Sequence, residues 1–188
     1  EIKRDVYLNK LISRKENGLI KIITGIRRCG KSYLLNPLFK NHLLESGVKE
    51  DHIIKLELDK EENIKYRDSY ELNKYIKSQI KDKNMYYILL DEIQMVDGFE
   101  SVLNGFLYER NLDVYVTGSN SKFLSSDIIT EFRGRGDEIK VFPLSFSEYV
   151  EAFKGDKQDA WNEYVLYGGL PLILSKKTYE EKSKYLKD

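Results

Sequence analysis

The stretch LIKIITGIRRCGKSYLL, residues 19–35, joins a short apolar run to a loop bounded by glycines and then to a second apolar run of helical character. Leu19 to Thr24 are rich in isoleucine and have the length of a buried strand. Gly25 to Ser32 then fit the pattern G-x-x-x-x-G-K-[ST] in full. The pattern works mechanically only where a strand ends and backbone N–H groups of a loop surround an anion. A helix must then start with the positive end of its dipole toward the same point. Gly25 and Gly30 allow backbone angles and a close approach that a Cβ would block. Lys31 is placed to reach the β- and γ-phosphates of a nucleotide, and the Ser32 hydroxyl to join the shell of Mg²⁺.

The remaining loop positions carry two meanings each. Arg27 and Arg28 point to solvent, to an acidic neighbour or, for Arg28, to the nucleotide. Cys29, beside a helix start and flanked by cations, is either a thiol of lowered pKa at the phosphate site or a small residue that fits. Tyr33 opens the helix and completes the expected nucleotide-contacting set of Gly25, Arg28, Cys29, Gly30, Lys31, Ser32 and Tyr33. Pro37 predicts a helix that bends or ends after its first turn.

Further along, apolar runs at 52–59, 86–92, 113–119 and 137–145 alternate with amphipathic stretches. YELNKYIKSQI, residues 70–80, sets Leu72, Tyr75, Ile76 and Ile80 on one helical face. FESVLNGFLYE, 99–109, follows the same logic, and Ser145 stands three residues before Glu148 as a capping box. Strand and helix in alternation predict a parallel sheet covered on both faces. Residues 1–145 thus read as an α/β core and 146–188 as a small helical extension. The start without methionine and the helix-like end read as a piece of a longer protein.

YYILLDE, 86–92, supplies the other half of the phosphate site. Asp91 ends an apolar strand and is placed to hold Mg²⁺ through water, while Glu92 is placed to turn aside and activate an attacking water. Hydrolysis is the expected reaction. Two NK pairs lack the aspartate that a guanine-binding NKxD motif needs, so ATP is the expected nucleotide. A P-loop kinase is the rival, although such loops commonly carry glycine where Arg28 stands and have no need of the Asp-Glu pair. A nucleic-acid-binding or interaction module that holds ATP without turnover is the other.

Composition narrows the remaining classes. Lys and Arg total 31, Asp and Glu 31, yet residues 1–40 hold ten basic against three acidic residues. That patch suits a polyanion, or solvated helix faces plus one phosphate site. One cysteine rules out an internal disulfide, and His42 and His52 lie in no metal-ligand spacing. No apolar run reaches the ~20 residues of a membrane helix, so no membrane partner is expected and the reading is cytoplasmic.

ITGIRRCGKSYLL, ILLDEIQMVDGFE, VTGSNSKFL, FRGRGDEIKVFPLSFSEYV and YGGLP together resemble prokaryotic AAA-type ATPases. In that family an N-terminal P-loop domain precedes a C-terminal domain often likened to a nuclease. The resemblance spans nearly all 188 residues. Phe99 stands where the family commonly has tryptophan, and Pro37 is atypical.

The resemblance implies a three-layer P-loop NTPase with a five-stranded parallel sheet in the order 5-1-4-3-2. It implies Ser119 or Asn120 as a polar sensor of the γ-phosphate or attacking water. Arg135, in FRGRG at 132–136, becomes an arginine finger acting in its own subunit or across a homo-oligomer interface, and Arg133 a surface residue. Gln94 relays nucleotide state or caps a helix, and Arg4 and Tyr7 are the residues named for adenine. Nucleic-acid or protein partners would act through a region beyond residue 188.

Overall fold

The computed structural model describes residues 5–119, 132, 134–144, 148–150, 153, 155–167 and 186. A helix α1 (Asp5–Ser13) precedes strand β1 (Ile20–Thr24), and the glycine loop leads into α2 (Lys31–Tyr33). A wide-turned segment, Leu34–Phe39, joins α2 to α3 (Lys40–Glu45). The sequence-predicted break lies there: Asn36 leaves helical angles at φ −147°, ψ 115°. Crowding by the Pro37 ring disfavours helical angles at the residue before it. The turn that carries Lys31 and Ser32 lies upstream and stays helical.

Strand β2 (Ile53–Glu57), helix α4 (Ser69–Gln79), β3 (Tyr86–Asp91), α5 (Phe99–Phe106), β4 (Leu112–Gly118), β5 (Gly136–Lys140) and α6 (Lys157–Tyr167) follow. Asp68 caps α4, its carboxylate accepting the Glu71 N–H at 3.0 Å. The capping box at Ser145 and the stretch TYEEKSKYLKD lie outside the described residues, the backbone of Leu186 excepted.

All five strands are parallel and lie in the order β2-β3-β4-β1-β5. Read from the other edge, this is the expected 5-1-4-3-2. Alternation of side chains along each strand divides the core in two. Ile20, Ile22, Ile88, Leu90, Val114 and Val116 face Leu72 and Ile76 of α4 and Phe99, Leu103 and Phe106 of α5. Ile23, Tyr87, Leu89, Tyr115 and Ile139 face Leu11 of α1 and Leu34, Leu35, Phe39 and Leu43 around the break. Two helical layers sandwich one sheet, and each buried Leu, Ile or Phe contributes about 1.5–3 kcal/mol.

One polar cluster interrupts the second face. Lys21 of β1 is fully buried and donates to Asp113 Oδ1 at 2.5 Å and to Asn17 Oδ1 at 3.1 Å. Asp113 Oδ2 accepts the Tyr115 hydroxyl at 2.6 Å and the Glu16 N–H at 2.9 Å. Burial first, then the Asp113 charge, holds the Tyr115 hydroxyl far above the usual phenol range. The cluster pins the turn between α1 and β1 to the central strand β4. Arg14 adds a half-buried tie to β5, with Nε 3.4 Å from Asp137.

Removing one partner of this pair strands the other's charge in the interior, which costs about 3–5 kcal/mol. Asp113→Ala is therefore expected to lower unfolding free energy by about that amount in urea titrations. The double replacement Lys21→Met with Asp113→Leu is expected to cost less than the single one, because no charge is left unpaired.

Candidate functional site

Parallel register brings the carboxyl ends of β1, β3 and β4 to one edge of the sheet, where the glycine loop, Asp91 and Ser119 meet. Open α/β sheets bind ligands at this edge. The loop is tightly built. A Cβ on Gly25 would lie 2.5 Å from Val141 O and 2.7 Å from Cys29 Sγ, so only glycine fits beneath the chain that leaves β5. Gly30 takes φ 101°, a left-handed angle that aims the next N–H groups into the loop.

Cys29 is fully buried, its Sγ 3.6 Å from Val141 O and its N–H 3.4 Å from Ile26 O. The thiol fills space under the loop, with its sulfur 3.8 Å from the Lys31 ammonium. Arg28 is half-buried at φ 64°, and Tyr33 is 37% exposed beside the loop. Lys31 is buried, and its ammonium donates to the Gly25 and Ile26 carbonyls at 2.9 and 2.7 Å. Both acceptors belong to the loop itself, so the ammonium is held against the loop backbone. Phosphate oxygens can replace those carbonyls without moving the lysine backbone.

Across the loop, the Ser32 hydroxyl lies 2.9 and 2.8 Å from the two Asp91 carboxylate oxygens. Thr117 of β4 donates its hydroxyl to Asp91 Oδ1 at 2.5 Å and accepts the Glu92 N–H at 2.9 Å. Burial pushes the Asp91 carboxyl above the usual carboxylate range; the Thr117 and Ser32 hydrogen bonds oppose it, and the Glu92 and Asp59 charges add to it. Ser32 and Asp91 form an oxygen-only donor pair, which fits a hard divalent cation such as Mg²⁺.

Glu92 sits at φ 57°, ψ 53°, a left-handed turn that takes its side chain off the line of β3 and away from Asp91. Its carboxylate accepts from Ser119 Oγ at 2.9 and 3.2 Å and from Gln94 Nε2. The two adjacent carboxylates therefore stand in different places, one on Ser32 and one on Ser119.

The structure groups Gly25, Gly30, Lys31, Ser32, Asp91, Glu92 and Ser119 at this edge. Asn120, Arg133 and Arg4 lie outside the described residues. Tyr7 of α1 accepts the Phe142 N–H at 3.1 Å, beside the chain that covers Gly25.

Arg135 does not join the group. Its carbonyl accepts the Ile20 N–H at 2.9 Å, at the amino end of β1. Five residue steps separate Ile20 from Gly25, about 16 Å along the strand. The parallel register starts β5, and with it the Arg135 backbone, beside the start of β1.

Thr117 is the site residue that sequence reading misses. A threonine within the apolar run VYVTG was the available signal, since a buried hydroxyl on a central strand needs a polar partner.

A family model described as an AAA domain matches residues 17–150. An uncharacterised protein of Haemophilus influenzae is 35% identical over 179 residues, covering 92% of this chain and 44% of the relative. An uncharacterised protein of Methanocaldococcus jannaschii is 31% identical over 188 residues, covering 92% and 39%. The chain thus spans less than half the length of either relative. Among solved structures, a Walker-type ATPase of Pyrococcus abyssi superposes with a TM-score of 0.68 at 17% identity, covering 99% of this chain and 71% of that one.

A carboxyl of raised pKa gives up its proton when it takes a cation. The Mg²⁺-dependent part of nucleotide affinity is therefore expected to fall as pH drops through the raised Asp91 value, starting above the ~3.9 of a free aspartate. Calorimetric titration from about pH 8 to about pH 5 checks this, with Asp91→Asn expected to flatten the profile.

Proposed function

The chain belongs to the AAA domain family, and we propose that this ATP-binding domain hydrolyses ATP with Mg²⁺ and uses the cycle as a conformational switch. The observation that carries the reading is the division of labour between adjacent carboxylates. Asp91 is tied to the loop serine, and Glu92 is turned off the strand onto Ser119. A domain that only holds nucleotide has no use for the second carboxylate.

Mg²⁺, held by Ser32 and by Asp91 through water, would neutralise charge on the β- and γ-phosphates. The chain's own residues do the rest. Loop N–H groups and the Lys31 ammonium bind and orient the phosphates, and burial of Lys31 strengthens its field there. Thr117 holds Asp91 and the Glu92 backbone together, so cation site and base keep a fixed separation. Glu92, once it exchanges Ser119 for a water, takes that water's proton as its oxygen bonds to the γ-phosphorus, while the bond from that phosphorus to the β–γ bridging oxygen breaks and ADP leaves. Ser119 is then free to donate to a γ-phosphate oxygen, which makes it the sensor, with Asn120 proposed beside it. Tyr7, next to the cover of Gly25, is the described residue we assign to the adenine ring of the nucleotide.

Arg135 completes the scheme from another copy of the chain. Its distance from its own loop supports that reading, and charge developing on a γ-phosphate gives a desolvated guanidinium its effect. We assign 1–145 to the nucleotide-driven core and 146–188 to a helical extension that passes the switch to the rest of a longer protein.

Lys31→Ala is expected to abolish ATP binding in calorimetry. Glu92→Gln is expected to bind ATP normally and release phosphate at least ~100-fold more slowly. Arg135→Ala should bind normally but turn over slowly, and mixing it with Lys31→Ala should restore turnover. The first supplies an intact site and the second an intact arginine, so a mixture no faster than its parts would overturn the shared site.

A further inference from the structure

His52 closes the short turn Glu50–His52 that enters β2, its own N–H donating to Lys49 O at 3.0 Å. The residue is 8% exposed, and its ring stacks on that of Tyr86, the first residue of β3, at 4.4 Å between centroids. Both ring nitrogens meet carboxylates. Nδ1 lies 2.7 Å from Asp51 Oδ1, and Nε2 lies 3.0 and 3.3 Å from the two oxygens of Asp82. A carboxylate only accepts, so each nitrogen has to carry a hydrogen for both contacts to be bonds. The imidazolium alone meets that demand.

Asp51 is the neighbour of His52 in the chain, whereas Asp82 belongs to the loop of residues 80–85 that joins α4 to β3. The loop has further holds. Asp82 Oδ1 accepts the Asn84 N–H at 2.8 Å, and the Tyr86 hydroxyl accepts the Lys81 N–H at 2.9 Å. Asn111, just ahead of β4, donates through Nδ2 to Asp82 O and Asn84 O, each at 3.3 Å. None of these bonds depends on a proton that moves near neutral pH. The bond between His52 and Asp82 does.

Asp51 and Asp82 are the charged groups that face the ring, one from the turn before β2 and one from the loop. Tyr86 faces it with its own ring, and Glu50 is turned to Lys40 at 2.6 Å. The Asp51 hydrogen bond holds the imidazole above the usual histidine range against the opposing effect of burial, and the Asp82 bond and both charges add to it. Burial alone would lift the Asp82 carboxyl, but the Asn84 N–H and the His52 ring outweigh it and bring it below the usual range. A raised imidazole stabilises the folded form fully below the ~6.5 of a free histidine and loses that contribution as pH rises through the raised value. The neutral ring keeps one hydrogen. Because the Asp51 contact is the shorter, Nδ1 retains it, and the Nε2 lone pair is left against the Asp82 carboxylate.

We infer that Asp51, His52 and Asp82 form a proton-operated clip, which fastens the loop of residues 80–85 to the entry of β2 while His52 is charged and lets the Asp82 arm go when it is neutral. The clip lies at the amino ends of β2 and β3, away from the glycine loop, and is independent of the hydrolysis reading.

NMR titration of the chain tests the first half, with the two imidazoles told apart by His42→Gln. The His52 midpoint is expected above ~6.5, and Asp82→Asn is expected to lower it. Hydrogen exchange tests the second half. Protection factors for residues 80–85 are expected to fall about two- to fivefold as pH rises through the His52 midpoint, the range of partly exposed ion pairs, while those of β3 stay level. In His52→Gln the fall is expected to vanish. Asp82→Asn serves the same purpose should that variant misfold, since the Asp82 side chain is 41% exposed. A His52 midpoint at or below ~6.5 overturns the inference. So does loop protection that stays constant across the midpoint, or that falls as steeply in Asp82→Asn as in the parent chain.

Discussion

A carboxylate buried at the end of a central strand has to be satisfied by something, and Asp91 is satisfied by two hydroxyls from two other elements. Ser32 reaches it from the loop side and Thr117 from the neighbouring strand. Each bond fixes a spacing: the first sets the glycine loop against β3, and the second sets β4 against β3 at the level of the site. Thr117 also holds the Glu92 amide, so the left-handed turn at that residue hangs on the same hydroxyl. Loss of this junction would leave the sheet in place but let the loop, cation site and base drift independently. About 1 Å of misplacement can cost a catalytic site a hundredfold in rate, so the proposed hydrolysis depends on this junction.

Much of this was legible from residue order. Isoleucine-rich runs spaced by amphipathic stretches gave the sheet, and the pairing of Gly25–Ser32 with Asp91 gave the site. Both signals are local, with each motif lying within a dozen residues. Gly25 was legible in type but not in reason, since its clash partner, the Val141 carbonyl, is more than a hundred residues away. Thr117 was hidden because a threonine is at home in any strand. The place of Arg135 was hidden for a related reason. Its distance from the loop depends on which end of β5 it precedes, and only the register with β1 turns that into a length.

The Lys21–Asp113 cluster was equally silent in sequence, because a lone lysine in an apolar run reads as an edge position. In the fold it is a buried anchor at the amino edge of the sheet. α1 runs from that anchor to the Tyr7–Phe142 contact beside the loop. One short helix is thus fastened at both edges, and it gives the interior a stiff connection between the phosphate site and the strand starts that no single strand residue supplies.

If Arg135 acts from another copy, as proposed above, its separation from the glycine loop also restricts the kind of assembly such copies can build. A contact that brings Arg135 to another copy's phosphate joins the amino edge of one sheet to the carboxyl edge of the next. Those faces are unlike, so a self-complementary patch on a two-fold dimer would have to stretch across the whole sheet. Head-to-tail contacts of this kind either close into a ring, when the rotation per copy divides a full turn, or continue as a filament. Stoichiometry is then set by an angle between neighbours rather than by the strength of the contact, and small changes at either edge would alter the number of copies before they altered the chemistry.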